Sequence, residues 1–177
     1  TLPGITTYDT AEALFARGDL DVICVSTYAP THRPLALAAM ECGVKGLLVE
    51  KPIGETTHAG ADIIAAAAER NLPMAVPHGL AVMKHIEEIF NRVWAGDIGA
   101  LRLIEIECDK WDILNAGIHW LHFAVTLLRG EPIRYVLCQA DTQTRTYRDG
   151  LQVETMAVTY PESASGVRIV MQTGDFV

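Results

Sequence analysis

Residues 47–55 read LLVEKPIGE. An apolar run suited to a buried strand stops at a carboxylate, an ammonium and a proline, Glu50, Lys51 and Pro52. The flanks say what kind of strand it is. DVICVS (21–26) is a second short run rich in β-branched residues, and LPMAVP (72–77) is a third. Between them, residues 30–42 carry a helical pattern ending at Gly43, and Ala-rich Thr57–Arg70 is closed by Asn71. Ahead of these, Thr10–Ala16 reads as a helix capped by Asp9 or Thr10 and ended by Gly18. Near-continuous apolar strands separated by helices predict a parallel sheet covered on both faces.

The pattern changes after Pro77. Residues 82–95 predict an amphipathic helix, with Val82, Ile86, Ile89, Phe90 and Val93 at helical spacing. GDIG (96–99) is a turn, and LRLIEIEC (101–108) is a strand with apolar residues at 101, 103, 104 and 106. A helix from 113 to 129 follows, ended by Gly130. IRYVLCQADTQT, LQVETMAVTY and VRIVMQT then read as antiparallel strands with one wet face, joined by the turns RDG (148–150) and PESASG. The fold class is therefore α/β: a partial parallel sheet over 1–78, then an α+β domain with a mostly antiparallel sheet over 79–177. The outward residues of that second sheet are expected to include Thr142, Thr144, Thr155 and Thr159.

Composition narrows the function. The chain has 177 residues, half of them hydrophobic, and a formal net charge of −8. An acidic chain argues against a nucleic-acid or anionic-membrane surface, both of which select clustered Lys and Arg. No apolar run approaches the roughly 20 residues of a membrane span. The four cysteines form no CxxC pair, and Cys24 and Cys108 sit in strand-like runs, which suits buried free thiols in a reducing, cytoplasmic compartment. TLPGITTYDT lacks the basic and apolar regions of a signal peptide and reads as the inside of a domain, so a longer parent is expected.

In open parallel sheets, ligands bind outside the carboxyl ends of the strands. Ser26, Thr27, Tyr28 and Pro30 follow one strand, Glu50, Lys51 and Pro52 the next, and Pro77 and His78 the third. Three strand ends are thus expected at one crevice. Lys51 is either a solvated loop lysine or a cation aimed at a substrate oxygen, held by a proline that fixes its own φ. On the later helix, Leu114, Ile118, Leu121, Val125 and Leu128 form a core stripe. Asn115, His119, His122 and Thr126 fall beside it as a polar stripe. Two histidines and an asparagine are unusual on a solvated helix face. Asp112, just before, is either the helix N-cap or a carboxylate facing a substrate. His119-x-x-His122 would hold a metal only with a third ligand, such as Asp109 or Asp112, in reach.

DVICVSTYAPTHRPLALAAMECG followed by KGLLVEKPIG resembles the glucose-fructose oxidoreductase / inositol dehydrogenase (Gfo/Idh/MocA) family. The carrying residues, in order, are Thr27, Pro30, His32 and Glu50-Lys51-Pro52. GDIGALRLIEIE (96–107) is similar to that family's turn into its second domain, and NAGIHWLHFAVTLLRGEP (115–132) to the helix carrying its histidine, here His119. The resemblance implies a Rossmann domain followed by a substrate domain, with NAD or NADP as cofactor. It implies a sugar, polyol or related small molecule as substrate, and a homo-oligomer formed through the antiparallel sheet. It places Ser26, Thr27, Tyr28, Pro30, His32, Glu50, Lys51, Pro52 and His78 at the cofactor, and Asn115, His122 and Asp112 at the substrate. Lys51 and His119 take the catalytic roles, the first stabilising charge on the reacting oxygen and the second accepting its proton.

The sequence departs from the family in places. Asn115 and His122 stand where the family carries Asp, PHGLAVM (77–83) replaces an Arg-rich turn, and no G-x-G-x-x-G phosphate turn occurs. Two other readings therefore stay open: a non-catalytic relative that binds a metabolite, and a relative using NAD for glycoside hydrolysis or elimination.

Overall fold

The computed structural model describes residues 4–141 and 146–175. The chain divides into two compact units, Thr1–Pro77 and His78–Val177.

The first unit alternates helix and strand: α1 (Ala11–Phe15), β1 (Val22–Val25), α2 (Ala29–Glu41), β2 (Gly46–Val49), α3 (Thr57–Glu69) and β3 (Met74–Ala75). Thr10 and Thr56 cap α1 and α3, each accepting a backbone N–H three residues on at 3.1 Å. The strands run parallel in the order β1-β2-β3, with Val25 opposite Val49 and Leu48 opposite Ala75. Ile23, Val25, Leu47 and Val49 bury against Ala36, Ala39 and Met40 of α2 and Ile63 and Ala67 of α3. The sheet is covered on this face alone within the unit. Val22 is 60% exposed and Cys24 is exposed. This corrects two expectations, cover on both faces and a buried Cys24. The reason is connectivity: successive right-handed crossovers stepping the same way across a sheet leave their helices on the same side.

The second unit opens with a 3-10 turn (Gly79–Val82) and α4 (Lys84–Ala95), so Val82 stands outside the helix and is 84% exposed. Then come β4 (Leu103–Asp109), a π turn (Ile113–Gly117), α5 (Ile118–Leu127), β5 (Ile133–Ala140), β6 (Thr146–Arg148), β7 (Leu151–Val153), β8 (Met156–Ser163) and β9 (Arg168–Gly174). The main sheet has the order β4-β9-β8-β5, and β6-β7 form a small hairpin turning at Asp149-Gly150. β5, β8 and β9 pair antiparallel, while β4 joins β9 in parallel. The turn read at PESASG begins later than expected: β8 runs on through Pro161 to Ser163. LQVETMAVTY is two strands, broken at Glu154-Thr155.

Ile104, Ile106 and Cys108 of β4 and Ile169 and Met171 of β9 face the helices and pack against Ile86 and Phe90 of α4 and Ala124 and Leu127 of α5. Trp94 Nε1 donates to Leu127 O at 3.1 Å, and Phe90 and Phe123 meet at 4.9 Å, which fixes α4 on α5. Leu103 points to the outer face and is 40% exposed. Thr159, read as outward, is buried on the helix-covered side. The outward residues of β8 are Met156 and Val158, both exposed, and the partly buried Tyr160 and Glu162. Thr142 and Thr144 lie outside the described residues.

The π turn also changes the helix reading. It inserts a residue before α5: Leu121 and Leu128 pack in the core as expected, but Gly117, Ala124 and Leu127 join them in place of Val125, which is 40% exposed. Gly117 is where the chain comes closest to the sheet. A Cβ there would meet Met171 Cε well inside contact distance, and Ile113 and Thr173 at 3.3 Å.

Candidate functional site

The first unit gathers its polar groups at the carboxyl ends of β1 and β2. The ladder continues one residue past the paired strands, because Glu50 N–H donates to Val25 O at 2.9 Å. Beyond it the Lys51–Pro52 peptide is cis. Gly54 lies against the start of α3, where a Cβ would meet Gly60 N at 2.7 Å, so the Glu50–Glu55 loop is seated on the helix backbone. Glu50, Lys51 and Pro52 are half-buried, and Ser26, Thr27 and Tyr28 are exposed.

Hydroxyls order the first of these loops. Thr31 Oγ1 donates to Tyr28 O at 2.9 Å, which uses its one proton. The 2.6 Å contact between Thr27 and Thr31 is then a donation from Thr27. His32 is fully buried at the start of α2. Its Nδ1 lies 2.9 Å from Pro52 O and its Nε2 3.0 Å from Thr27 O. His32 was expected at the cofactor, but in the structure it touches the backbone of both loops from beneath. Pro30 is half-buried in the first turn of α2, where a missing N–H costs no helical bond.

The second unit brings three histidines together. His78 stacks on His122, with ring centroids 4.2 Å apart and planes 6° from parallel. His119 meets His78 edge-on at 5.3 Å. The rings are partly buried, and His122 Nδ1 is a buried atom that makes no hydrogen bond among the described residues. Imidazoles are the side chains best suited to exchange protons near neutrality. His78 thus sits with the later histidines, within its own unit. Among the described residues, no three His, Cys, Asp or Glu side chains converge in a metal-holding arrangement.

Asp112 is nearly fully buried and carries the cap: its Oδ1 accepts from Asn115 N–H at 2.9 Å. Its Oδ2 is 2.5 Å from Arg148 Nε, whose guanidinium lies over the Trp111 ring. Asn115 is partly buried in the π turn. Glu154 accepts from Ile113 N–H at 2.7 Å and from the Thr173 hydroxyl at 2.6 Å. Two carboxylates therefore hold the start of the helix that presents His119 and His122.

Residues 2–78 match the model of the Gfo/Idh/MocA family, described as an oxidoreductase family with an NAD-binding Rossmann fold. The match takes in nearly the whole of the first unit. A UDP-N-acetylglucosamine 3-dehydrogenase of Acidithiobacillus ferrooxidans is 28% identical over 135 residues, covering 71% of this chain and 41% of the relative. An inositol dehydrogenase homolog of Azotobacter vinelandii, solved with NADH and myo-inositol, superposes with a TM-score of 0.83 at 19% identity. The match covers 94% of this chain and 49% of that one. The WlbA dehydrogenase of Bordetella pertussis, solved with NADH and UDP-GlcNAcA, gives a TM-score of 0.84 at 15% identity over 98% of this chain and 58% of that one. The chain thus spans between 41% and 58% of the length of these relatives.

Arg148 and Glu154 are the residues that sequence reading missed. Arg148 meets Asp112 across 36 positions of chain, a pairing no local pattern signals. Glu154 sits at a regular polar position of the Leu151–Glu154 alternation, so the pattern alone reads it as an ordinary strand residue.

Proposed function

We propose that this chain is the central part of an NAD(P)-dependent oxidoreductase acting on the secondary alcohol, or the corresponding ketone, of a sugar, polyol or related metabolite. The observation that carries the proposal is the joining of the Thr27 and Glu50-Lys51-Pro52 loops by His32, at strand ends where open parallel sheets take ligands. The donor set fits a dinucleotide. Thr27 and Tyr28 offer a hydroxyl and an aromatic ring at the rim, and Glu50 an acceptor for a ribose hydroxyl. The bound nicotinamide would supply the hydride acceptor or donor. Lys51 would hydrogen-bond the reacting oxygen and stabilise charge developing there. His119 would take up the hydroxyl proton, with Asn115 and His122 orienting substrate beside it. The relatives named above act on or bind sugars and cyclitols, which supports that substrate class.

The test is a fluorescence titration of NADH and NADPH against the 177-residue chain and against its longer parent, followed by turnover with sugar and polyol alcohols. Binding with turnover in the parent supports the reading. Binding of neither nucleotide overturns it. A non-catalytic relative is the second reading, favoured by Asn115 and His122 standing where the family carries Asp. It expects cofactor or metabolite binding without turnover.

The outer sheet face supports self-association. Met156, Val158, Tyr135 and Leu137 are all more than 40% exposed, which suits a pairing of two copies through this surface. The cysteines Cys24, Cys42, Cys108 and Cys138 are all free thiols, in keeping with a cytoplasmic protein.

A further inference from the structure

The geometry points to His32 as the positioning residue of the strand-end site, coupling the loop after β1 to the Glu50-Lys51-Pro52 loop by setting one ring nitrogen against a backbone carbonyl of each. The inference rests on the cofactor-site reading above. Both partners of the ring are carbonyl oxygens, Pro52 O at 2.9 Å and Thr27 O at 3.0 Å. Carbonyls only accept. The ring is fully buried, so water cannot replace either bond.

The consequence is mechanical. Thr27 belongs to the loop that offers a hydroxyl and Tyr28 at the rim, and Pro52 follows Lys51 directly. Displacing either carbonyl displaces the other through one rigid ring. His32 therefore ties the cofactor-facing rim to the loop that carries the lysine ammonium.

Two readouts test this, one on the 177-residue chain and one on the longer parent. In His32→Phe, amide exchange is expected to rise about tenfold or more in both residues 26–31 and 50–55, with α3 amides unchanged. His32→Gln, which keeps one donor group, should retain part of the protection. Faster exchange in only one loop, or in neither, overturns the coupling. In the longer parent, NADH affinity is expected to fall about tenfold in His32→Phe and less in His32→Gln. Failure of the wild-type parent to bind NADH, with the exchange results as expected, would remove the cofactor reading and leave the loop coupling standing.

Discussion

At the residue scale, Lys51 carries the sharpest expectation. In the complete protein, Lys51→Ala should lower turnover by about 10²–10³-fold, the range for losing one group that stabilises charge on a reacting oxygen. NADH affinity should stay within several-fold, because the proposed contact is to substrate. Steady-state kinetics with a parallel cofactor titration checks both, and unchanged turnover would remove Lys51 from the chemistry. A second expectation concerns Tyr135. Its hydroxyl donates to Glu162 Oε2 at 2.8 Å, and that carboxylate pushes the phenol up from 10.0 to about 12. The raised value means the folded state favours the neutral phenol. Whatever stabilisation this gives is complete below about pH 10 and is lost as the pH climbs toward 12. Ultraviolet titration should show Tyr135 ionising late, and Glu162→Gln should bring that step back to lower pH. The motif residues around this site were readable because each sits directly after a strand whose apolar run marks its own end. The work of His32 was not readable. Sequence order placed it near the cofactor, while burial and two carbonyls 5 and 20 residues away in sequence made it a tie between the loops.

At the element scale, the helix bearing His119 shows where periodicity loses its grip. A stripe counted at 3.6 residues from Leu114 reaches Val125, which is exposed, and misses Ala124 and Leu127, which are buried. The π turn at Ile113–Gly117 resets the phase, and a count along the chain has no means of detecting the extra residue. The turn is held from outside the helix by Glu154 and Asp112 and permitted by Gly117, which lies on β9. Gly117→Ala should therefore destabilise the unit by about 1–3 kcal/mol through overpacking. Gly79→Ala, with nothing within 4 Å of the added carbon, should change stability little. Urea unfolding of both variants checks the contrast, and equal midpoints would contradict the close packing. The one-sided cover of the β1-β2-β3 sheet was hidden for a different reason. Apolar strand content is the same whether one face is covered or two, and only the exposure of Val22 and Cys24 tells them apart.

At the scale of the whole molecule, the division into an α/β unit and an α+β unit follows the change of hydrophobic period after Pro77. The strand pairing within the second unit follows less directly. The antiparallel members lie in consecutive alternating runs, but the parallel β4–β9 pair joins residues more than 60 positions apart. No helix among the described residues is long and apolar enough to cross a membrane. The open face of the second sheet yields an expectation about association. Val158→Glu places a charge on an exposed apolar position in a central strand. It should shift sedimentation toward a smaller species if that face pairs, and an unchanged profile would discard the interface.

The uneven cover of the two sheets also gives the molecule a built-in chemical reporter. Cys24 and Cys138 lie exposed, one in each unit, while Cys108 is buried and its thiol is pushed up by that burial. Thiolate is the reactive form. A maleimide pulse should therefore label Cys24 and Cys138 quickly and Cys108 only on unfolding. Mass spectrometry of the labelled peptides would then read, position by position, which sheet faces become shielded when a nucleotide or a second copy arrives, and Cys24 would register any partner that settles on the bare side of the parallel sheet.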